Sequence, residues 1–176
     1  MDNYFAFFEL EEKFFLDEKA LKKRYQDISR KNHPDYFIED EKKYDEALKV
    51  TSVCNAGYKT LSKLGNRIPY ILKLNGLLEE SGNAIPQDFL MQMMDMNESL
   101  MELQMDFDAK QFELTLTEWK SINEDLDGSL VAKCEAADAT ENQEDRAQIV
   151  KEIKDFYLKQ KYLLRIKETL DKFALD

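Results

Sequence analysis

The stretch Lys22–Phe37, KKRYQDISRKNHPDYF, decides how this chain is read. Its first part belongs to a helical pattern running from Asp17 to Asn32, with Ala20, Leu21, Tyr25 and Ile28 on one apolar face. Lys19, Lys22, Lys23, Arg24, Arg30 and Lys31 set six positive charges against Asp17, Glu18 and Asp27. Asp17 is suited to cap the free N–H groups of the first turn. His33-Pro34-Asp35 then stops the run, because proline donates no backbone hydrogen bond and restricts the residue before it. After a short loop, Tyr36 to Lys42, a second helical pattern begins at Lys43: Tyr44, Ala47, Leu48, Thr51, Cys54, Tyr58 and Leu61. The spacing predicts an antiparallel hairpin with the triplet at its tip. The basic run alone suits either a solvated face or a positive docking surface, and the triplet either a plain turn or one gripped by another protein.

Upstream, NYFAFFEL (residues 3–10) reads as a short aromatic helix pressed on a core; a strand fits by composition, but nothing nearby would pair with it. Downstream, Gly65-Asn66 is expected to break the second hairpin helix. A further short helix follows with Ile68, Ile71, Leu72 and Leu74, interrupted near its start by Pro69 and closed by Gly76. Residues 79–86, EESGNAIP, form the best linker, with Gly82 and Asn83 at a turn and Pro86 suited to the first turn of the next helix.

The chain has 176 residues, and its five glycines and three prolines argue for an all-α fold over a sheet fold. The net charge of −11 opposes a general nucleic-acid role, which needs basic surface to neutralise phosphates. The charge is uneven. Residues 1–78 carry 14 Lys/Arg against 13 Asp/Glu, whereas residues 79–145 carry 18 Asp/Glu against 3 Lys, which suggests two units with different partners. Cys54 and Cys134 belong to no CxxC pair, and with a single histidine no zinc cluster can be assembled; they read as small buried hydrophobes or free thiols. No apolar run approaches the roughly 20 residues that span a bilayer, and Asp2-Asn3 followed by aromatics resembles no signal or transit segment. No membrane and a cytoplasmic location are the expectations.

In the second half, Phe89, Met93, Met96, Leu100, Leu103 and Phe107 alternate by four and three, a bundle seam. The next run uses Phe112, Leu116, Trp119, Ile122 or Asn123, Leu126 and Leu130, with Asp127-Gly128 expected to loosen or end it. Residues 135–145 read as a polar loop or helix start, and the last helix uses Ile149, Ile153, Phe156, Leu163, Leu170 and Phe173. A three-helix bundle follows. Its first helix has apolar residues to spare: Leu90, Met91, Met94, Met101 and Met105 form a second stripe beside Asp95, Glu98 and Glu102. That stripe is either a wider core or an adaptable, carboxylate-rimmed docking surface.

Catalytic constellations are missing from the sequence. His33 is the sole imidazole, no marked serine accompanies it, and no nucleophile elbow, dinucleotide loop or Walker sequence occurs. Glu9, Glu11 and Glu12 are a charge cluster. Neither an enzyme nor a bound metal or cofactor is expected.

His33-Pro34-Asp35 between a basic amphipathic helix and a following one resembles a J domain, the module with which co-chaperones engage Hsp70 chaperones. DNYFAFFEL (residues 2–10), KKRYQDISRKNHPDYF, NAGYKTLSKLGNRIPYILKLNG (55–76) and PQDFLMQMMDMNESLMEL (86–103) are similar to the HscB-type co-chaperones of iron–sulfur cluster assembly, type III J proteins. The resemblance implies a J domain over 1–76, a linker over 77–86 and a scaffold-binding three-helix bundle over 87–176. It implies delivery of an IscU-type iron–sulfur scaffold to an HscA-type Hsp70, whose ATPase is stimulated. His33, Pro34 and Asp35, with Arg24, Arg30 and Lys31, would face the Hsp70. Leu90, Met91, Met94, Asp95, Glu98 and Glu102, with Tyr162 of the last helix, would face the scaffold. The resemblance implies no metal on the chain itself. Departures from the family are Tyr36, where lysine often follows the triplet, and methionines where leucines are commoner. Two alternatives stand beside this reading: a general J-domain co-chaperone with a different client, and a helical assembly protein in which the triplet is only a turn.

Overall fold

A computed structural model describes residues 3–79 and 83–173. Glu80, Ser81 and Gly82, inside the expected linker, lie outside the described residues, as does Asp2. The fold is all-α, with two compact units, Met1–Gly76 and Leu77–Asp176.

In the first unit, α1 (Tyr4–Phe7) is capped by Asn3, whose side chain accepts from the N–H groups of Phe5 (2.9 Å) and Ala6 (3.2 Å). The short helix is held mainly by burial of Phe5 and Phe8 and by Tyr70, whose hydroxyl accepts from Tyr4 N–H at 2.7 Å. It closes through Leu10 N–H on Phe5 O (2.8 Å) and Glu9 N–H on Ala6 O (3.1 Å). That motif puts Glu9 in the left-handed region at φ 52°, a conformation glycine adopts more easily.

Asp17 caps α2 (Glu18–Lys31) through Lys19 and Ala20 N–H, as the sequence suggests. Helix α3 (Glu41–Leu61), capped by Asp40, runs antiparallel to it. The pairing is read from cross-links in reverse order: Tyr25 with Asn55 (3.0 Å), Ser29 with Cys54 (3.7 Å), and Thr51 with the carbonyl of Asn32 (3.1 Å). Tyr25 and Tyr58 stack with centroids 4.3 Å apart. Leu48, counted on the apolar face, is instead exposed.

The expected break at Gly65-Asn66 falls earlier, at Ser62-Lys63, and α4 (Leu64–Leu74) contains both Gly65 and Pro69. Pro69 does not interrupt it: the helix holds through Ile68, Tyr70, Ile71 and Leu72, all buried. Gly76, at φ 68°, does close it, with its N–H on Lys73 O at 3.0 Å. Arg67 is 4 % exposed and reaches back to the end of α3, Nε donating to Leu61 O at 2.7 Å and Nη1 to Phe14 O at 2.5 Å.

In the second unit, the first bundle helix is two helices, α5 (Gln87–Gln92) and α6 (Met94–Met105). Met93 interrupts them at φ −87°, ψ 2°, where the Asn97 amide takes its carbonyl at 2.7 Å. Pro86 sits just before α5 as its cap residue. Helix α7 (Ala109–Ala139) passes straight through Asp127-Gly128. Asp127 is held by Asn123 (3.0 Å) and Gln160 (2.5 Å), and the buried series Leu126, Leu130, Cys134, Ala137 outweighs the roughly 1 kcal/mol cost of one helical glycine. The expected polar loop over 135–145 shrinks to residues 140–142, with Asn142 accepting from Glu144 and Asp145 N–H. Helix α8 (Gln143–Phe173) returns antiparallel to α7, through Lys133–Glu152, Asp127–Gln160 and Trp119 Nε1 on Leu163 O (2.8 Å).

The seam holds for Phe89, Met93, Met96, Leu100 and Leu103, all buried. Phe107 lies beyond the end of α6 and is half exposed, with its ring 5.9 Å from Phe112 and 6.2 Å from Phe173.

Two glycines give opposite expectations. A Cβ on Gly57 would meet Phe8 at 2.9 Å and Tyr4 at 3.1 Å, whereas one on Gly128 meets nothing within 4 Å. Overpacking costs about 1–3 kcal/mol and replacing a helical glycine recovers about 0.5–1 kcal/mol. Gly57→Ala is therefore expected to lose about 1 kcal/mol net, and Gly128→Ala to gain about 0.5–1 kcal/mol. Urea unfolding measures both, and a Gly57→Ala midpoint at or above wild type would mean that the two rings yield.

Candidate functional site

Two surfaces collect the residues singled out by the sequence, one on each unit. The first is the hairpin tip. Asn32 ends α2 with its backbone and side-chain N–H groups on Ile28 O (3.0 and 2.9 Å), while Thr51 of α3 donates to Asn32 O. The tip is thus tied to both helices just below the triplet. The triplet opens a short 3-10 turn, Pro34–Phe37, with Pro34 in its first position and His33 as its cap; of the expected loop Tyr36 to Lys42, the first two residues join this turn and the last two already belong to α3. Asp35 N–H donates to His33 Nδ1 at 3.3 Å, and Tyr36 N–H to His33 O at 3.0 Å.

His33 Nδ1 also lies 3.5 Å from Asp35 Oδ2. The two contacts exclude each other: an ion pair needs a proton on Nδ1, whereas the backbone bond needs Nδ1 as acceptor. The backbone contact is the shorter of the two and uses Nδ1 as acceptor. Both side chains are exposed, and the Asp35 carboxylate is open to a partner. Asp40, by contrast, is occupied. It caps α3 and pairs with Lys43 at 3.0 Å, whose hydrogen bond and charge hold its carboxyl below the usual range.

The basic positions are not equivalent. The Arg24 guanidinium pairs with the Glu9 carboxylate. Arg30 and Lys31 are exposed and make no ion pair among the described residues. Around the triplet, Tyr36 and Ile38 are 68 % and 70 % exposed. Ile38 was not singled out by sequence, because an isolated isoleucine in a short connection carries no periodicity that says which way it faces.

The second surface is on α5 and α6. Leu90 is exposed, Met91 and Met94 are 66 % and 64 % exposed, and Asp95, Glu98 and Glu102 are exposed beside them. The spare stripe is therefore surface, and the core beneath it is complete without it. Tyr162 differs from the rest. It is half-buried, edge-on to Phe89 with centroids 6.0 Å apart, and its hydroxyl accepts from Asn97 at 2.7 Å. That one amide also donates to Met93 O, so it ties the α5–α6 junction to the ring beneath it.

Among the described residues, no three His, Cys, Asp or Glu side chains gather where a metal ion could sit, and no helix is long and apolar enough to cross a membrane.

No protein-family model matches the chain. Over 101 residues it is 40 % identical to the co-chaperone protein HscB of Buchnera aphidicola, a match covering 56 % of this chain and 58 % of that protein. Over 105 residues it is 32 % identical to the HscB homolog of Neisseria meningitidis, covering 58 % and 63 %. Both of these similar proteins are HscB-type co-chaperones. The matched stretch spans about three fifths of the length of these HscB relatives. The crystal structure of human HscB shares the fold at TM-score 0.65 and 24 % identity, covering 99 % of this chain and 83 % of that one. HscB from Vibrio cholerae does so at 0.58 and 22 %, covering 96 % and 99 %.

Neither cysteine of the chain is placed as a nucleophile. Burial raises the Cys54 thiol, partly offset by Ser29, and its weak hydrogen bond goes to Tyr25 O. Burial first, then the carboxylates of Asp138 and Glu135, push Cys134 up to about 12. A raised thiol stays protonated, and the thiolate is the reactive form. Iodoacetamide at pH 8 is expected to leave both cysteines unmodified in the folded chain and to label both in urea. Rapid native labelling of Cys134, read by mass spectrometry, would contradict its burial.

Proposed function

We propose that the chain is a non-catalytic co-chaperone of iron–sulfur cluster assembly. The first unit serves as a J domain that engages an HscA-type Hsp70 and stimulates its ATPase. The second unit binds an IscU-type scaffold, with residues 77–86 joining the two. Similarity to HscB-type co-chaperones supports this reading, and the observation that carries it is the tip. A turn tied to both hairpin helices holds out one exposed carboxylate, Asp35, a few residues along the chain from two exposed cations, Arg30 and Lys31, that make no ion pair among the described residues.

The physical roles follow from that placement. Asp35 accepts a charge-assisted hydrogen bond from an arginine of the Hsp70, and Arg30 and Lys31 complement an acidic patch and favour encounter. Pro34 stiffens the turn so that little order is lost on docking. Arg24 joins this face only after giving up Glu9, so it contributes less than the other two. On the second unit, Leu90, Met91 and Met94 provide apolar contact area, and Asp95, Glu98 and Glu102 provide the acidic rim. Tyr162 supports this surface from below through Asn97.

A hydrogen bond to a charged group is worth about 1.5–3 kcal/mol, roughly a ten- to hundredfold change in affinity. Asp35→Asn keeps the turn's shape and removes the charge. It is expected to abolish stimulation of the cognate Hsp70 ATPase with an unchanged circular dichroism spectrum; wild-type stimulation would sink the proposal. Replacing Leu90, Met91 and Met94 together by alanine is expected to weaken scaffold binding at least tenfold and to leave scaffold-free ATPase stimulation intact. Equal loss of both activities with loss of helicity would return these residues to the core.

A further inference from the structure

The acidic apolar stripe does not stop at Glu102. Met101 and Met105, further along α6, are 65 % and 87 % exposed, and Leu114 at the start of α7 is 57 % exposed. Met105 and Leu114 face one open groove at the α6–α7 corner, shared with Glu102, Asp106, Asp108 and Lys110. The groove is built on a fixed base: Asp108 caps α7 through Gln111 N–H at 2.7 Å, and the Gln111 amide donates to Ser99 Oγ at 3.0 Å. Three carboxylates against one ammonium leave it net negative. An apolar contact on such a wall calls for a partner segment that flanks an apolar side chain with lysine or arginine.

Size points the same way. A stable interface takes about 20–30 residues from each partner, more than the seven scaffold-facing positions supply. From Leu90 to Met105 the stripe rises about 22 Å at 1.5 Å per residue, and the corner prolongs it without a gap. We infer that the scaffold-docking surface continues onto the α6–α7 corner, where Met105 and Leu114 receive an apolar anchor with basic flanks. This inference rests on the scaffold-binding reading above and adds a second contact region with its own chemistry.

The test is calorimetric titration of an IscU-type scaffold into the full chain, comparing Met105→Ser/Leu114→Ser with Leu90→Ser/Met94→Ser. The corner variant is expected to bind about tenfold more weakly, with scaffold-free Hsp70 stimulation unchanged. Asp106→Asn is expected to flatten the salt dependence of binding. Unchanged affinity in the corner variant beside weakened binding in the Leu90/Met94 variant would overturn the extension and leave the scaffold reading in place. Unchanged affinity in both would overturn the scaffold reading and the extension with it. A salt dependence untouched by Asp106→Asn would overturn the basic flanks.

Discussion

The buried guanidinium of Arg67 is the constraint on which the first unit depends. A charge that far from water is costly unless well hydrogen-bonded, and the carbonyls of Leu61 and Phe14 are among its acceptors. Leu61 is the last residue of α3, where carbonyls have no partner within the helix and the dipole favours a cation. Phe14 belongs to the segment leading into α2. One side chain on α4 therefore closes the α3–α4 corner and anchors the approach to α2. The hairpin that presents the triplet is fixed at its base by this contact and at its tip by Thr51 on Asn32.

The two surfaces divide the electrostatics that the composition only summed. The net charge of −11 conceals a basic face on α2 and an acidic rim on α5 and α6. Opposite surfaces select opposite partners, and like-charged alternatives are repelled at both. The Glu9–Arg24 pair reduces the basic face from within. Glu9 holds that position despite its left-handed backbone, so its carboxylate stands over α2 where a glycine would leave Arg24 free.

The hairpin, its Asp17 cap and the bundle seam were legible because proline, an aspartate cap and three-and-four spacing act locally. What escaped depends on residues far apart in sequence. Gly65-Asn66 looked like the break, yet the chain turns three residues earlier, where Arg67 takes up the end of α3. No spacing marks Gly57, yet Tyr4 of α1 and Phe8 just after it lie against it. Asp127-Gly128 looked like a stop, but Gln160 on the neighbouring helix secures Asp127. For the candidate sites, exposure of the methionine stripe was one of two readings open in the sequence. The choice between them needed to know whether the seam fills the core without it, a question of volume that no spacing answers.

The interruption at Met93 shows how a soft surface is carried on a hard base. Methionine is a good helix former, so nothing in its own propensity breaks the chain there. Asn97 sits at the junction: its side-chain amide donates to Met93 O and to the Tyr162 hydroxyl, while its backbone N–H keeps the helical bond to the same carbonyl at 3.0 Å. Below the break, Phe89, Met93, Met96 and Leu100 are packed against α7 and α8. Above it, Leu90, Met91 and Met94 owe nothing to that core and are free to change rotamer. The fold fixes where the methionines stand and leaves open how they lie, a division suited to gripping a partner whose own surface adjusts.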